Sequence, residues 1–330
     1  MKIKARITLA CVFSFLALLP GVAVGSVWLS PIEVLKALIG LSSDPFSAAI
    51  ILNIRLPRAL LAFTAGGALS VCGALMQAQL RNSLASSFTL GVSSGASFGA
   101  ALVLLLGISF AGIFDLPLAG FATGMITMML VIFLAKTIDQ NLEAGTVVLT
   151  GMVVSLFINA LTTFIVSLSR GNAERLIFWQ MGSFAGRGFT PLIAILPIYF
   201  LCFVLIMSRH KQLDIITFGE ETAESLGVNA QGIKWLTMLC ASALTGSVIA
   251  FTGIIGFIDL VIPHIVRRIF GAEHKYVLPM CVVIGGGFAV LADVLARIAL
   301  RQGELPVGVV TALIGAPFFA YVFLKSRKGF

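Results

Sequence analysis

The sequence predicts an all-α polytopic membrane protein with about ten transmembrane helices and short re-entrant pieces. Apolar residues make up 59% of the 330 residues and charged residues only 11%, whereas soluble domains average about 25% charged residues. The apolar residues form blocks of roughly 18 to 25, the length a helix needs to cross a bilayer. The blocks lack the strict alternation of barrel strands, so helices remain as the structure that satisfies the backbone in lipid.

Ten spans follow one another along the chain. The first follows Lys2, Lys4 and Arg6 and is longer than a signal-peptide core, which favours a retained helix over a cleaved signal. The eighth span is short and adjoins the seventh at residues 252–253, so these two could form one broken segment. The predicted spans are 7–28, 57–80, 88–107, 116–135, 145–168, 190–208, 235–252, 254–266, 277–296 and 306–324.

Basic residues at both ends of the chain place both termini in the cytoplasm. Two cytoplasmic termini require an even number of crossings, so ten crossings fit and nine do not. The net charge of +8 comes from residues at segment ends and does not indicate a nucleic-acid partner. The same topology leaves Arg55, Arg58 and Arg297 on the outer side, where the charge bias does not explain them.

The sequence offers little that enzyme chemistry could use. Five cysteines stand singly with no Cys-x-x-Cys pair, so neither a metal site nor a disulfide framework is expected. Residues 91–95 match the Gly-x-Ser-x-Gly nucleophile pattern, but the histidines lie near inner segment ends and catalysis is disfavoured. The chain lacks a Walker-type loop, so another protein would have to bind any ATP. The longest polar stretch, 209–234, is too short to fold alone, and residues 1–330 form one domain.

Four groups of residues are candidates for function, and the inner loop at 219–228 is the fourth. Pro57 fixes Arg55 and Arg58 at the outer edge, either as interfacial anchors or as forks that bind a partner's carboxylates. Asp293 and Arg297 are four residues apart and can pair on one helix face. Asp259 is an ionisable group within a span, and it is either functional or placed near the outer end in water. In both cases we expect polar surroundings for it and no contact with lipid.

The inner loop at 219–228 has the features of a short helix. Its acidic start suits a helix N-terminus, and Gly227 suits a helix stop. Such a helix could dock into another protein's groove or simply be a solvated part of the loop. If ATP drives this protein from a separate subunit, this is the inner segment long enough to receive the force.

These patterns, in this order, resemble the permease family of binding-protein-dependent ABC importers of type II, which carry iron–siderophores, haem and cobalamin. The resemblance extends from about Arg55 to the C-terminus. Its most specific stretches are Arg-Leu-Pro-Arg at 55–58, Gly-Ala-Leu-Met-Gln at 73–77, Leu-Gly-Val-Ser-Ser-Gly-Ala at 90–96, Gly-Phe at 256–257, Val-Ile-Pro-His at 261–264, and residues 304–319.

The resemblance implies a permease subunit in a bacterial or archaeal cytoplasmic membrane. It would pair with a second permease, identical or related, around a central path. Two ATPase subunits would bind ATP and Mg inside, and a substrate-binding protein would dock outside, while this chain would hold no cofactor. The substrate stays open among iron–siderophore, haem, cobalamin and oxyanions such as molybdate. The alternative is a self-sufficient secondary transporter, which would need paired intramembrane acids or a coupling-ion site.

The resemblance also assigns residues to roles. The docking residues for the binding protein match Arg55, Arg58 and Arg297. The coupling helix for the ATPase, within 219–228, matches Glu221, Ala223 and Gly227. The translocation path and inner gate match Gln77, Asn82, Leu84, Gly145 and Thr146, with Asp259 as a further candidate in the path.

Two features depart from the family pattern. Relatives commonly have Asn-Pro-Leu-Ala-x-Pro in the gate loop, whereas residues 82–87 here are Asn-Ser-Leu-Ala-Ser-Ser. Both prolines are missing, so the resemblance does not extend to a gate made rigid by proline. Asp259 stands where relatives have a small or apolar residue.

Overall fold

A computed structural model describes residues 3–25, 29–42, 44–83, 85–109, 111–140, 142–168, 173–300 and 303–327. All regular elements in these ranges are helical. The α-helices are α1 (Ile3–Ala23), α2 (Pro31–Leu38), α3 (Pro45–Ile50), α4 (Leu56–Gln79), α5 (Val92–Leu106), α6 (Asp115–Ile138), α7 (Ala144–Leu168), α8 (Ala173–Gln180), α9 (Thr190–Ser208), α10 (His210–Ile216), α11 (Glu220–Ser225), α12 (Ala230–Thr252), α13 (Ile258–Phe270), α14 (His274–Ile298) and α15 (Val307–Arg327).

Each of the ten predicted spans corresponds to one helix. Within the described residues, seven helical segments are long and apolar enough to cross a membrane, and α5, α13 and α15 match the remaining three spans. The 13 residues of α13 cover about 20 Å at 1.5 Å per residue, which is less than the roughly 30 Å hydrocarbon core. The all-helical membrane fold is therefore confirmed, while helix length alone does not fix ten full crossings.

The seventh and eighth spans form two separate helices. The helix α12 ends at Thr252, and Gly253 then takes a positive φ of 73°. Phe257, with φ of 68°, precedes the first residue of α13. Two left-handed residues within five positions turn the chain sharply, so the two helices do not form one broken rod.

Three helices form the centre of the bundle. The most apolar 18-residue window is 83% buried in the segment Pro45–Gln79, which contains α4, 78% buried in α12 and 67% buried in α14. Small residues allow the central helices to approach closely. A Cβ atom on Gly66 would lie 2.3 Å from the Gly285 carbonyl oxygen, so α4 and α14 touch backbone to backbone there.

The outer helices expose apolar side chains. The windows of α1, α6, α7 and α9 are only 28% to 39% buried. Phe15, Phe133, Leu156 and Ile193 are each more than half exposed. An apolar surface of this kind is the one that lipid covers.

Short helices that hydropathy did not predict lead into α4. The Ser30 side chain accepts a hydrogen bond from the Glu33 backbone and caps α2. The Asp44 carboxylate caps α3 by accepting from the backbone nitrogens of Phe46 and Ser47. The Ser47 hydroxyl also donates to this carboxylate, and it contributes most to lowering the pKa of Asp44, followed by the backbone bonds. The Ser-Pro and Asp-Pro pairs at 30–31 and 44–45 are the sequence signals for both helix starts.

Candidate coupling helix and gate

The inner loop folds into the short helix α11, as its sequence predicts. Gly227 adopts φ of 78°, the left-handed conformation expected of a residue that ends a helix. The Val228 backbone nitrogen then donates to the Ala223 carbonyl oxygen at 2.9 Å. Ala223 is fully buried, so its side chain anchors α11 and cannot face a partner. Glu221 lies on the exposed face of the helix.

The loop before α7 contains a strained residue. Leu142 is buried and has φ of 52°, a left-handed conformation that is unfavourable for a residue with a Cβ atom. The Asp139 carboxylate accepts a hydrogen bond from the Glu143 backbone nitrogen at 2.5 Å. The predicted gate residues Gly145 and Thr146 follow in the first turn of α7, and a Cβ atom on Gly145 would meet open space.

A cleft of about 700 Å³ separates α11 from the loop before α7. The structure therefore brings one predicted coupling residue, Glu221, and one predicted gate residue, Gly145, to the walls of the same cleft. Four glutamates and one arginine among the lining residues give it an acidic character. The lining residues are Arg81, Glu143, Ala144, Gly145, Phe218, Gly219, Glu220, Glu221, Thr222 and Glu224.

Two predicted gate residues, Gln77 near the end of α4 and Asn82 just after it, line a second, smaller cleft of about 320 Å³. The Gln77 side chain donates to the carbonyl oxygens of Asp259 at 3.4 Å and Leu260 at 3.3 Å. Its own oxygen accepts from the Arg267 guanidinium. Gln77 thus positions the start of α13 against α4, and the Asn82 backbone nitrogen donates to its carbonyl oxygen at 3.2 Å. Leu84 lies outside the described residues.

Asp259 is fully buried and bound to the end of the gate loop. Its Oδ2 accepts hydrogen bonds from the Ser86 hydroxyl, from the Ser87 backbone nitrogen at 3.3 Å and from the Ser87 hydroxyl at 3.3 Å. The surroundings are polar and contain no lipid face, as expected. The alternative that Asp259 reaches water near the outer end is wrong, because the residue is 0% exposed.

The three predicted docking arginines lie in one cluster at the other end of α4 and α14. Arg58 forms ion pairs with Asp293 at 2.8 Å and with Glu304 at 2.7 Å. Arg297 forms the predicted pair with Asp293 at 3.2 Å. Arg55 is 6% exposed and donates to carbonyl oxygens near the end of α1. The cluster therefore joins α1, α4 and α14, and Glu304, 43% exposed, is its most open carboxylate.

Two partly buried contacts near α10 and α11 were not anticipated from the sequence. Lys234, on α12, pairs with Glu220 at 2.7 Å. Asp214, on α10, accepts from the His274 backbone nitrogen at 2.8 Å and lies 2.6 Å from its ring Nδ1. Partial burial raises the pKa of Asp214, but the hydrogen bonds from His274 outweigh it, so the net shift is downward. A lysine at the start of an apolar helix, next to an acidic loop, was the available signal for the first pair.

The geometry offers no support for a metal or nucleophile site. In the part of the chain that the structure describes, no group of three or more His, Cys, Asp or Glu residues is close enough to hold a metal. The serine of the Gly-x-Ser-x-Gly pattern is Ser93, in the first turn of α5, and the hydroxyl of its neighbour Ser94 donates to the Gly91 carbonyl oxygen at 2.9 Å. This local bond within the helix turn is the ordinary one for a helical serine.

Comparisons with known proteins identify the family of this chain. The model of the FecCD transport family matches residues 10–325. An uncharacterised ABC transporter permease protein of Bacillus subtilis, YvrB, is 40% identical over 290 residues, covering 87% of this chain and 82% of that protein. The Fe(3+)-citrate import system permease protein YfmE of the same organism is 33% identical over 308 residues, covering 93% and 91%. Further relatives are named as cobalamin and molybdate import permeases.

A solved structure has the same fold over nearly the whole chain. It is a metal-chelate type ABC transporter in an inward-facing conformation, with a TM-score of 0.87 and 28% sequence identity. The two chains cover 98% and 99% of each other. The relatives are transport subunits and not enzymes, and the secondary-transporter alternative is not favoured. The chain thus belongs to the FecCD transport family and is a multi-pass membrane permease of an ABC importer.

Proposed function

We propose that this permease imports a metal chelate, with iron–siderophores as the first substrate class to test. The observation that most directly supports import driven by a separate ATPase is the shared cleft between α11 and the loop before α7. In this cleft an exposed helix lies beside a gate candidate, an arrangement that a transporter driven from outside its own chain requires. Relatives named for Fe(3+)-citrate and cobalamin point to a large chelate, and the molybdate relative keeps an oxyanion open.

The partners follow from what the chain lacks and what it exposes. Two ATPase subunits would bind ATP and Mg at the inner face and contact α11 through Glu221 and its exposed neighbours. Because Ala223 is buried, it would hold the helix in place during that contact. A second permease, identical or related, would complete the central path. Both termini would lie in the cytoplasm, as their basic residues favour.

A substrate-binding protein would dock at the arginine cluster on the outer side. Arg58 already has two carboxylate partners, Asp293 and Glu304. A partner's carboxylate would therefore replace the exposed Glu304 at the Arg58 guanidinium and leave Asp293 in place. Charge reversal at Arg58 is a poor test, because it would put three carboxylates together and unfold the cluster.

Changing Glu304 gives a cleaner test of docking. Glu304→Gln should strengthen association with the binding protein, mainly at low salt, because it leaves part of the Arg58 guanidinium for the partner. Glu174→Gln, an exposed change on α8, is the matched control for the lost negative charge. Equal affinities for the wild type and Glu304→Gln at every salt concentration would exclude this mode of docking.

The function itself is tested by purifying the permease and identifying its partners. We expect an ATPase subunit to co-purify, and the reconstituted complex to hydrolyse ATP faster with one member of a ligand panel. The panel would contain iron–siderophores, haem, cobalamin and molybdate, each with its binding protein. Transport by the purified permease alone, driven by an ion gradient and without ATP, would overturn the proposal in favour of a secondary transporter.

A further inference from the structure

A buried lysine lies between the two segments that form the inner cleft. The Lys234 side chain is only 1% exposed, and its Nζ lies 2.7 Å from Oε1 of Glu220, the first residue of α11. The same Nζ donates a hydrogen bond to the Leu142 carbonyl oxygen at 3.0 Å. One ammonium group therefore contacts both the coupling helix and the loop before α7.

Burial makes these two contacts difficult to separate. An ammonium group removed from water costs several kcal/mol unless a counter-charge and hydrogen bonds compensate it. Here Glu220 supplies the counter-charge, and Leu142 supplies a carbonyl oxygen inside the protein. If α11 moved away while the loop stayed, Lys234 would lose its carboxylate or abandon the carbonyl. The arrangement in which α11 and the loop move together avoids both losses.

The loop that Lys234 contacts is held in an unfavourable conformation. Leu142 has φ of 52°, and its backbone nitrogen donates to the Asp139 carbonyl oxygen at 3.1 Å. A residue kept in this region requires surrounding contacts that enforce it. The bond from Lys234 is one of those contacts, so a shift of the lysine changes the forces on the loop three residues before Gly145.

The lysine is itself fixed to the core of the bundle. One helical turn further along α12, the Thr237 hydroxyl donates to the Gln79 side-chain oxygen at 3.1 Å. Gln79 is the last residue of α4, and the gate loop follows it. The backbone of Lys234 thus lies next to the contact between α4 and α12, while its ammonium group binds both α11 and the loop before α7.

We propose that Lys234 is a positioning residue that transmits displacement of α11 to the loop before α7, and through it to Gly145 and Thr146. The source of the displacement, an ATPase subunit, rests on the proposed function. The tie between the two segments does not, because it depends only on contacts within this chain. The two parts can therefore be tested separately.

Hydrogen–deuterium exchange on the purified full-length chain tests the tie. In Lys234→Met the amides of residues 139–143 and of residues 219–226 should both exchange roughly tenfold faster, since each segment loses a charge-assisted or buried hydrogen bond. Lys136→Met is the matched control: Lys136 is exposed at the inner end of α6, with its Nζ 6.0 Å from the Trp235 ring. It should leave both segments unchanged.

The complex with its ATPase tests the transmission. Lys234→Met should lower transport by roughly tenfold while ATP hydrolysis is retained, because the force still reaches α11 but not the gate. Glu220→Gln should show the same uncoupling with less risk of misfolding, as its side chain is 27% exposed. Since the two residues act as one pair, the double variant should lose no more coupling than Lys234→Met alone.

The outcomes separate cleanly. Faster exchange in both segments together with uncoupled hydrolysis supports the proposal. Faster exchange in only one segment, or an equal loss of transport and hydrolysis, would mean that Lys234 only stabilises the local structure, and would overturn the proposal. If the wild-type chain binds no ATPase, the proposed function fails, and the exchange result on the purified chain still decides whether the tie exists.

Discussion

Asp259 provides the most demanding test of how the gate loop is held. Replacing it by alanine removes the acceptor of three hydrogen bonds, from the hydroxyls of Ser86 and Ser87 and from the Ser87 backbone nitrogen. The hydroxyls can rotate toward other acceptors, but the backbone N–H cannot, and Ser87 is 0% exposed. A buried N–H without an acceptor costs about 1–3 kcal/mol.

An opposing effect reduces this loss. Oδ1 of Asp259 lies buried without a hydrogen-bond partner among the described residues, so removing the carboxylate also removes a desolvation cost. We therefore expect Asp259→Ala to destabilise the protein by about 2 kcal/mol, which is below the upper end of about 3 kcal/mol that the stranded N–H alone could cost. Asp259→Asn keeps an oxygen acceptor for the Ser87 N–H, and we expect it to cost less than about 1 kcal/mol.

Native cysteines provide the assay. Cys72 and Cys281 are fully buried, so a thiol-reactive dye reports thermal unfolding once the exposed Cys11 is replaced by serine in every variant. Local release of the gate loop is measured separately with Ala85→Cys, since Ala85 is 2% exposed. Labelling at position 85 should become roughly tenfold faster when Asp259→Ala is added. If the alanine and asparagine variants unfold alike, or position 85 stays protected in both, hydrogen bonding by Asp259 does not hold the loop.

Three further changes test other contacts. Gly73→Ala should destabilise the bundle by about 1–3 kcal/mol, because its Cβ would lie 1.7 Å from a carbonyl oxygen of α13; Gly120→Ala, whose Cβ would meet its nearest neighbour at 3.6 Å, should unfold like the wild type. Gly227→Val meets no neighbour but must hold φ of 78°, so it should uncouple ATP hydrolysis from transport, whereas Gly227→Asn, which tolerates that φ, should not. The folded protein lowers the pKa of Asp214 below its ordinary value of 3.8, so the bond with His274 stabilises the fold above that pH and is lost as the pH falls through the lowered pKa. Melting temperatures of Asp214→Asn and the wild type should therefore converge in acid. A difference that stays constant with pH would contradict the reasoning.

The helices were predictable because the bilayer leaves few alternatives. Apolar blocks of sufficient length predict transmembrane helices, and the ten predicted spans match helices in order. The Asp293–Arg297 pair was also predictable, because a separation of four residues places both on one helix face. The left-handed Gly227 followed from the same local reasoning about how a helix ends.

Pairings between distant residues were not predictable from one sequence. Arg58 and Asp293 are 235 residues apart, and nothing local indicates that they meet. The enclosure of the arginine cluster was therefore missed, although each arginine was singled out. The partners of Asp259 were missed for the same reason, since Ser86 and Ser87 reach it across 173 and 172 positions. Only helix packing decides which polar groups share a buried site.

Strained backbone positions lie next to the polar contacts of Lys234, Asp259 and the gate loop. Among the described residues, the non-glycine positions with positive φ are Arg81, Leu142 and Phe257. Arg81 opens the gate loop after α4, Leu142 accepts the bond from Lys234, and Phe257 precedes Asp259 by two residues. Strain of this kind persists only where neighbouring contacts enforce it.

The loop at residues 82–87 is restrained differently from the corresponding loop of relatives that have proline. Proline would fix such a loop through its covalent ring, but this chain has serines at the two positions where relatives have proline. Here the end of the loop is held by hydrogen bonds from Ser86 and Ser87 to Asp259, which are non-covalent restraints. We therefore expect the proline variant Ser87→Pro, which cannot donate its backbone nitrogen to Asp259, to exchange one restraint for the other. Its loop should stay protected at position 85 even when Asp259→Ala is added, and labelling as fast as in Asp259→Ala alone would show that the two restraints are not equivalent.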